Sequence, residues 1–138
     1  MRLRKQTERR SGSAVVEAAI VLPVALFLIY VIFSGALMVL VTDEVATASR
    51  EGARFASVHG QQYQSTTKRP AATADDIKAY VLNQGVTLDP SLMTVNVSWN
   101  ASNRMWNYVT VEVRYQWEGS GPFAGREFVS RSTMLVSY

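Results

Sequence analysis

The residues in the most unusual chemical setting are Gly12, Ser13 and Glu17. Glu17 is a single acid at the lip of residues 18–41, a run without any charged side chain. An acid beside such a run is disfavoured; at the centre of a membrane helix it would cost about 3 kcal/mol on insertion scales. The helix dipole offsets part of that cost. A fuller compensation follows if the chain is cut after Gly12. Ser13 then carries a free ammonium one helical turn before Glu17, and the carboxylate can neutralise the amine of its own or a neighbouring chain. A buried charge is tolerated when paired, so such a pair would set the register of helices in a bundle.

The other reactive side chains assemble into nothing comparable. The one histidine, His59, precedes Gly60 near an expected helix end, and there is no cysteine. Asp75 and Asp76 read as first-turn acids of a helix rather than a metal or acid–base pair. The glycines at 119, 121 and 125 lie between expected strands and open no helix, so they lack the geometry of a phosphate loop. Asn96-Val-Ser98 and Asn100-Ala-Ser102 match the glycosylation pattern, which is short and weak. Trp99 and Trp117 are expected in the core and Trp106 at a turn. Catalytic, cofactor and metal sites are therefore not expected, and the chain reads as a non-enzyme.

The element that must carry Glu17 is the apolar run. As an α-helix, its 24 residues span roughly 36 Å, enough to cross a hydrocarbon core of about 30 Å with some tilt. Pro23 falls inside it, cannot donate to Ala19, and is expected to kink the helix or open it locally. Ser34, Gly35 and Ala36 would let another helix approach. Ahead of the run, Arg2, Arg4, Lys5, Arg9 and Arg10 carry five of the fourteen basic charges. From Ser13 onward nine basic residues face ten acidic ones. The overall charge of +3 is thus a property of the head rather than of a nucleic-acid-binding surface, and no nucleic acid is expected as a partner. Positive residues beside a span stay inside. Residues 1–12 are accordingly read as a disordered, basic cytoplasmic leader and 13–41 as a transmembrane helix. Residues 42–138 then form a head on the far side.

The helix is expected to continue over 42–58. Val41, Val45, Ala48, Gly52 and Phe55 recur at intervals of four and three, one apolar stripe, while Arg50, Glu51 and Arg54 fall off it. A polar loop is expected at 60–70. Thr73 can cap a helix over 74–84 with Asp76 three residues on, and Gly85 is a plausible left-handed end. Beyond it the period changes to two, predicting strands at about 92–99, 107–117 and 127–137. The middle one is clearest, with Val109, Val111, Val113, Tyr115 and Trp117 on one side. The predicted fold class is α+β: a long N-terminal helix packed, with a short helix, on a small antiparallel sheet. Beyond the long helix, residues 59–138, 80 in all, are left to fold against it, near the size where one core is marginal.

Three stretches together resemble a known family. They are Arg9-Arg-Ser-Gly-Ser-Ala-Val-Val-Glu17, the Val21-Leu-Pro23 that follows, and Ala48-Ser-Arg-Glu-Gly-Ala-Arg-Phe-Ala56. They look like the TadE-like pseudopilins of the tight adherence (Tad/Flp) pilus system, within the type IV pilin-like proteins cut by prepilin peptidase. Ala18 stands where the family usually has an aromatic residue, and Ser49 where it has alanine. The resemblance covers residues 9–56. It implies a pilin-like fold and a minor structural subunit that helps build a pilus. It also implies cleavage by prepilin peptidase at the inner membrane and assembly with other pilins or pseudopilins. Glu17 is implied as the assembly contact, joined by Arg50, Glu51 and Arg54 just outside the membrane. The alternative is an extracytoplasmic binding domain, either held by an uncleaved anchor or secreted behind an ordinary signal peptide. In the secreted case Ser34-Gly35-Ala36 would serve as the cleavage site and Leu37 as the mature start.

Overall fold

A computed structural model describes residues 5–84, 87–119 and 123–137. The order is α1 (Lys5–Val58), α2 (Gln61–Thr67), α3 (Ala74–Gln84), a 3-10 turn (Pro90–Leu92), β1 (Met93–Trp99), β2 (Tyr108–Trp117) and β3 (Arg126–Leu135). The fold is α+β, as the change of sequence period predicts. Two compact units divide it, Met1–Leu37 and Met38–Tyr138.

The first unit is helix throughout its described residues. The helix is described from Lys5, eight residues ahead of the start expected near Ser13. The local reason is composition: Lys5, Gln6, Glu8, Arg9 and Arg10 are good helix formers, and they outweigh the break at Ser11-Gly12. The helix continues on both sides of Pro23.

In the second unit, the later turns of α1 lie on a three-stranded meander of order β1-β2-β3, antiparallel at both joins. Val109, Val111 and Val113 of β2 are fully buried, as are Ile77 and Val81 of α3. Val45, Ala48, Ala53 and Ala56 form the facing stripe of α1. One buried polar group sits in that stripe. The Ser49 hydroxyl lies 2.9 Å from that of Ser130 and 3.3 Å from that of Ser132, both on β3, and donates to the Ala46 carbonyl at 2.9 Å. The end of α1 is tied down through its last carbonyls. Ser57 accepts from the Ser137 amide at 2.9 Å and His59 accepts from the Ala72 amide at 2.8 Å, which satisfies acceptors a helix end would otherwise leave open.

Thr73 and Asp76 make a reciprocal cap on α3. The Thr73 amide donates to the Asp76 carboxylate at 2.9 Å, and the Asp76 amide donates to Thr73 Oγ1 at 3.2 Å. The segment expected as a polar loop instead contains α2, which buries no side chain. Gly85, expected to end α3, lies outside the described residues, as does part of the 119–125 loop.

Gly52 governs how closely α1 approaches the rest of this unit. A Cβ there would stand 2.5 Å from Val81 Cγ2 and 3.2 Å from Val111 Cγ1, two fully buried side chains with no free rotor to move aside. Glycine costs a helix about 1 kcal/mol relative to alanine, while overpacking a filled core costs about 1–3 kcal/mol. Gly52→Val is therefore expected to destabilise the full-length protein in detergent by about 2 kcal/mol, read by chemical denaturation. A variant as stable as the parent would show that the contact is slack.

Candidate functional site

The candidate site begins at the N-terminal helix. Gly12, Ser13 and Glu17 are all exposed, and no atom beyond the local helix comes within 4 Å of a Cβ placed on Gly12. Ser13 and Glu17 are four residues apart in one helix, which puts them on one face. Behind them the apolar side chains point outward all round. Ile20, Phe27, Ile32 and Phe33 are each more than 60% exposed. Exposure on that scale leaves a large apolar surface without a partner among the described residues. By length and composition this helix can cross a membrane.

Arg50, Glu51 and Arg54 sit on the second unit. Arg50 and Arg54 are exposed and Glu51 is half-buried. Glu51 and Arg54 approach to 3.8 Å, a loose exposed pair of small energetic value. Arg50 has no ion partner among the described residues. The structure thus places the proposed contact residues in two groups on α1: Gly12, Ser13 and Glu17 near its start, and Arg50, Glu51 and Arg54 near its end.

The remaining sequence candidates have structural partners. His59 Nδ1 donates to the Phe55 carbonyl at 2.9 Å, and the imidazole stacks on the Phe55 ring at 4.2 Å. Phe55 also stacks on Tyr80 at 4.3 Å. An open cleft of about 280 Å³ lies here, lined by Glu51, Arg54, Phe55, Val58, His59 and Tyr80. Asp75 faces Lys78 at 3.6 Å. Asp76 is held below its ordinary range, chiefly by the Thr73 amide and then by the Thr73 hydroxyl. Among the described residues, no three His, Cys, Asp or Glu side chains gather as a metal site would require. Trp99 and Trp117 pack half-buried against the core. Trp106 is 73% exposed, at a positive φ of 70°.

One charged cluster is not legible in the sequence. Glu112, on the outer side of β2, is buried beneath two arginines. Arg131 donates to its Oε2 from Nε at 2.9 Å and also from Nη2, and Arg114 Nε donates to Oε1 at 2.7 Å. Glu127 approaches Arg114 to 3.7 Å. The sequence signal is the pairing of Glu112 with Arg131 directly across β2 and β3, visible only once the register is known. The cluster is closed on itself and serves the sheet.

The family model described as TadE-like protein matches residues 12–54. That segment starts at the expected cut, contains Glu17, Pro23, Arg50 and Glu51, and ends on Arg54. Over it the chain is similar to the TadE-like family, the resemblance that its three sequence stretches suggest. Neither the curated proteins nor the solved structures contain a match.

The Glu112 cluster makes stability depend on acid. Hydrogen bonds from Arg131 and then Arg114 hold the carboxyl below its ordinary value of 4.5. The unfolded chain therefore takes up this proton first. The contribution is complete above about pH 4.5 and is lost as pH falls through the lower folded value. Glu112→Gln should melt at a lower temperature than the parent at neutral pH, because both guanidinium groups lose their charged acceptor. Its melting temperature should also fall less steeply than the parent's between about pH 5 and about pH 3. Parallel acid profiles would overturn this account.

Proposed function

We propose that this protein is a minor pilin-like subunit, a pseudopilin, of a Tad/Flp pilus, and that its role is structural rather than catalytic. One observation carries the reading. The TadE-like match over residues 12–54 coincides with an exposed apolar helix that follows a basic stretch and carries one acid at its edge.

In this reading residues 1–12 are a leader held in the cytoplasm by its positive charge. Residues 13–41 cross the inner membrane, and residues 42–138 form a periplasmic head. Prepilin peptidase cuts after Gly12. The new Ser13 ammonium and the Glu17 carboxylate neutralise each other within or between chains, and this stabilises an acid that would otherwise face hydrocarbon alone. The apolar surface of the helix is then covered by lipid before assembly and by the helices of other pilins or pseudopilins after it. Arg50, Glu51 and Arg54 contribute contacts next to the membrane.

A second reading has one observation in its favour. The boundary between the two compact units falls between Leu37 and Met38, next to the small residues Ser34, Gly35 and Ala36. Removal of everything up to Ala36 by a signal peptidase would leave the second unit whole, as a secreted binding domain. The pilin-like reading is preferred because it also accounts for Glu17 and for the family match, which extends through both units.

N-terminal sequencing of the protein from cells with active prepilin peptidase separates the two. A start at Ser13 is expected; a start at Leu37 supports the secreted domain, and an intact Met1 removes the processing step. Glu17→Ala should still enter the membrane but reduce piliation by roughly tenfold or more, the effect of losing about 1.4 kcal/mol or more of pairing. Normal piliation in that variant would refute the charge-pair role.

A further inference from the structure

The outward side of α1 in the second unit carries charges in an order that specifies a neighbour. Asp43, Thr47, Arg50 and Arg54 are all exposed. At 100° per residue they fall within an arc of about 60°. The opposite side of the same turns, with Val45, Ala48, Ser49 and Ala53, is buried against the sheet and α3. The exposed stripe therefore reads acid, small polar residue, base, base along the helix. Asp43 and Arg50 have no ion partners among the described residues, whereas Arg54 is already near Glu51.

We infer that this stripe is a homotypic docking surface. It joins α1 of one copy to α1 of a second, parallel copy shifted along the axis by seven residues, with Asp43 of one beside Arg50 of the other. Charge complementarity selects both the occupant and the shift. Two parallel copies in register would set Asp43 against Asp43 and Arg50 against Arg50, a repulsive arrangement. A shift of seven residues, about 10 Å, replaces both repulsions with opposite-charge contacts. It also lays the short Thr47 side chain beside Arg54 of the neighbour, where the two helices can come close. A shift of eleven would pair Asp43 with Arg54, whose guanidinium already has Glu51 nearby. The parallel direction rests on the pilin-like reading, since copies anchored through the same N-terminal segment in one membrane present α1 in the same sense. A shifted contact of this kind leaves one half of the stripe free on each copy, so it propagates into a row instead of closing as a dimer.

The chain has no cysteine, which makes cross-linking a direct test. Thr47→Cys combined with Arg54→Cys leaves Asp43 and Arg50 in place. The two positions on one chain are about 10 Å apart along the axis, too far to bridge internally. Full-length protein in its native membrane should, on mild oxidation, give a reducible ladder of dimers and larger species. Each single-cysteine variant should remain largely monomeric. Adding Asp43→Arg should reduce the ladder by about threefold to fivefold, the size of an exposed ion pair, and Arg50→Asp on top of it should restore the ladder. Efficient dimers from either single variant would show in-register pairing and overturn the proposal. Absence of a ladder from folded double variant would overturn it as well. If that variant fails to fold by circular dichroism, Leu40→Cys with Thr47→Cys, two exposed positions seven residues apart that also leave Asp43 and Arg50 in place, reports the same shift. Mature protein that starts at Ser13 without a ladder removes this contact alone. A ladder from protein that starts at Met1 keeps the contact and removes the processing step.

Discussion

The second unit depends on how closely α1 can lie against it. Gly52 is in van der Waals reach of Val81 and Val111, and the residues above and below it on the same stripe are Ala48, Ser49, Ala53 and Ala56. Larger side chains would hold the helix away and leave the sheet's inner valines poorly covered. With small ones, backbone approaches side chain directly and the fit comes from the valines and Ile77. The cost of glycine in mid-helix, about 1 kcal/mol, is outweighed by burying several branched side chains at about 1.5–3 kcal/mol each. Ser49 adds direction to this otherwise apolar contact. Its hydroxyl meets those of the half-buried Ser130 and Ser132, so sliding or rotating the helix would strand the buried Ser49 hydroxyl. Each unsatisfied group of that kind costs about 1–3 kcal/mol.

The first unit obeys the opposite rule. Its side chains are large, apolar and outward on all sides, and its stability as a helix needs no tertiary partner in a medium where every backbone group must be satisfied internally. Pro23 removes one such internal bond, from its own missing N–H to the Ala19 carbonyl. The same helix therefore changes character along its length, from a broad exposed apolar surface to a narrow stripe of small residues packed on a sheet. The change of side-chain size is what marks the two demands.

Much of this was legible because it is periodic. The valines of β2 alternate, the stripe on α1 repeats at three and four, and Thr73 with Asp76 announces a helix start. The parts that were not legible lack a period or depend on distant pairing. The strand β3 turns Phe128, Ser130, Ser132 and Met134 inward, and two serines on a core face obscure its sidedness until Ser49 is known to meet them. The helix α2 buries no side chain and so leaves no apolar signature. Glu112 looks like an ordinary outward residue of an alternating strand, and its burial comes from Arg114 and Arg131, whose reach depends on register. At the candidate site, Glu17 stood out because a charge beside an uncharged run is rare. Asp43 did not, because its significance lies in the relation to Arg50 along a face whose other side had first to be buried.

Apolar contact between helices is strong but nearly indifferent to axial position, since the hydrophobic effect is non-directional. A helix with an uncharged run of 24 residues could pack against a neighbour at many offsets with similar energy. Specificity must then come from the polar groups at the ends of that run, where a wrong offset leaves a charge unpaired. Glu17 stands at one end and Asp43, Arg50 and Arg54 at the other. Charges of this kind add little net stability when exposed, but their mismatch is penalised, and register is their best-attested use. The uncharged run supplies adhesion without position, and the two charged ends supply position with little adhesion. The proposed pilin-like role would require both, and this helix separates them by residue type along one continuous element.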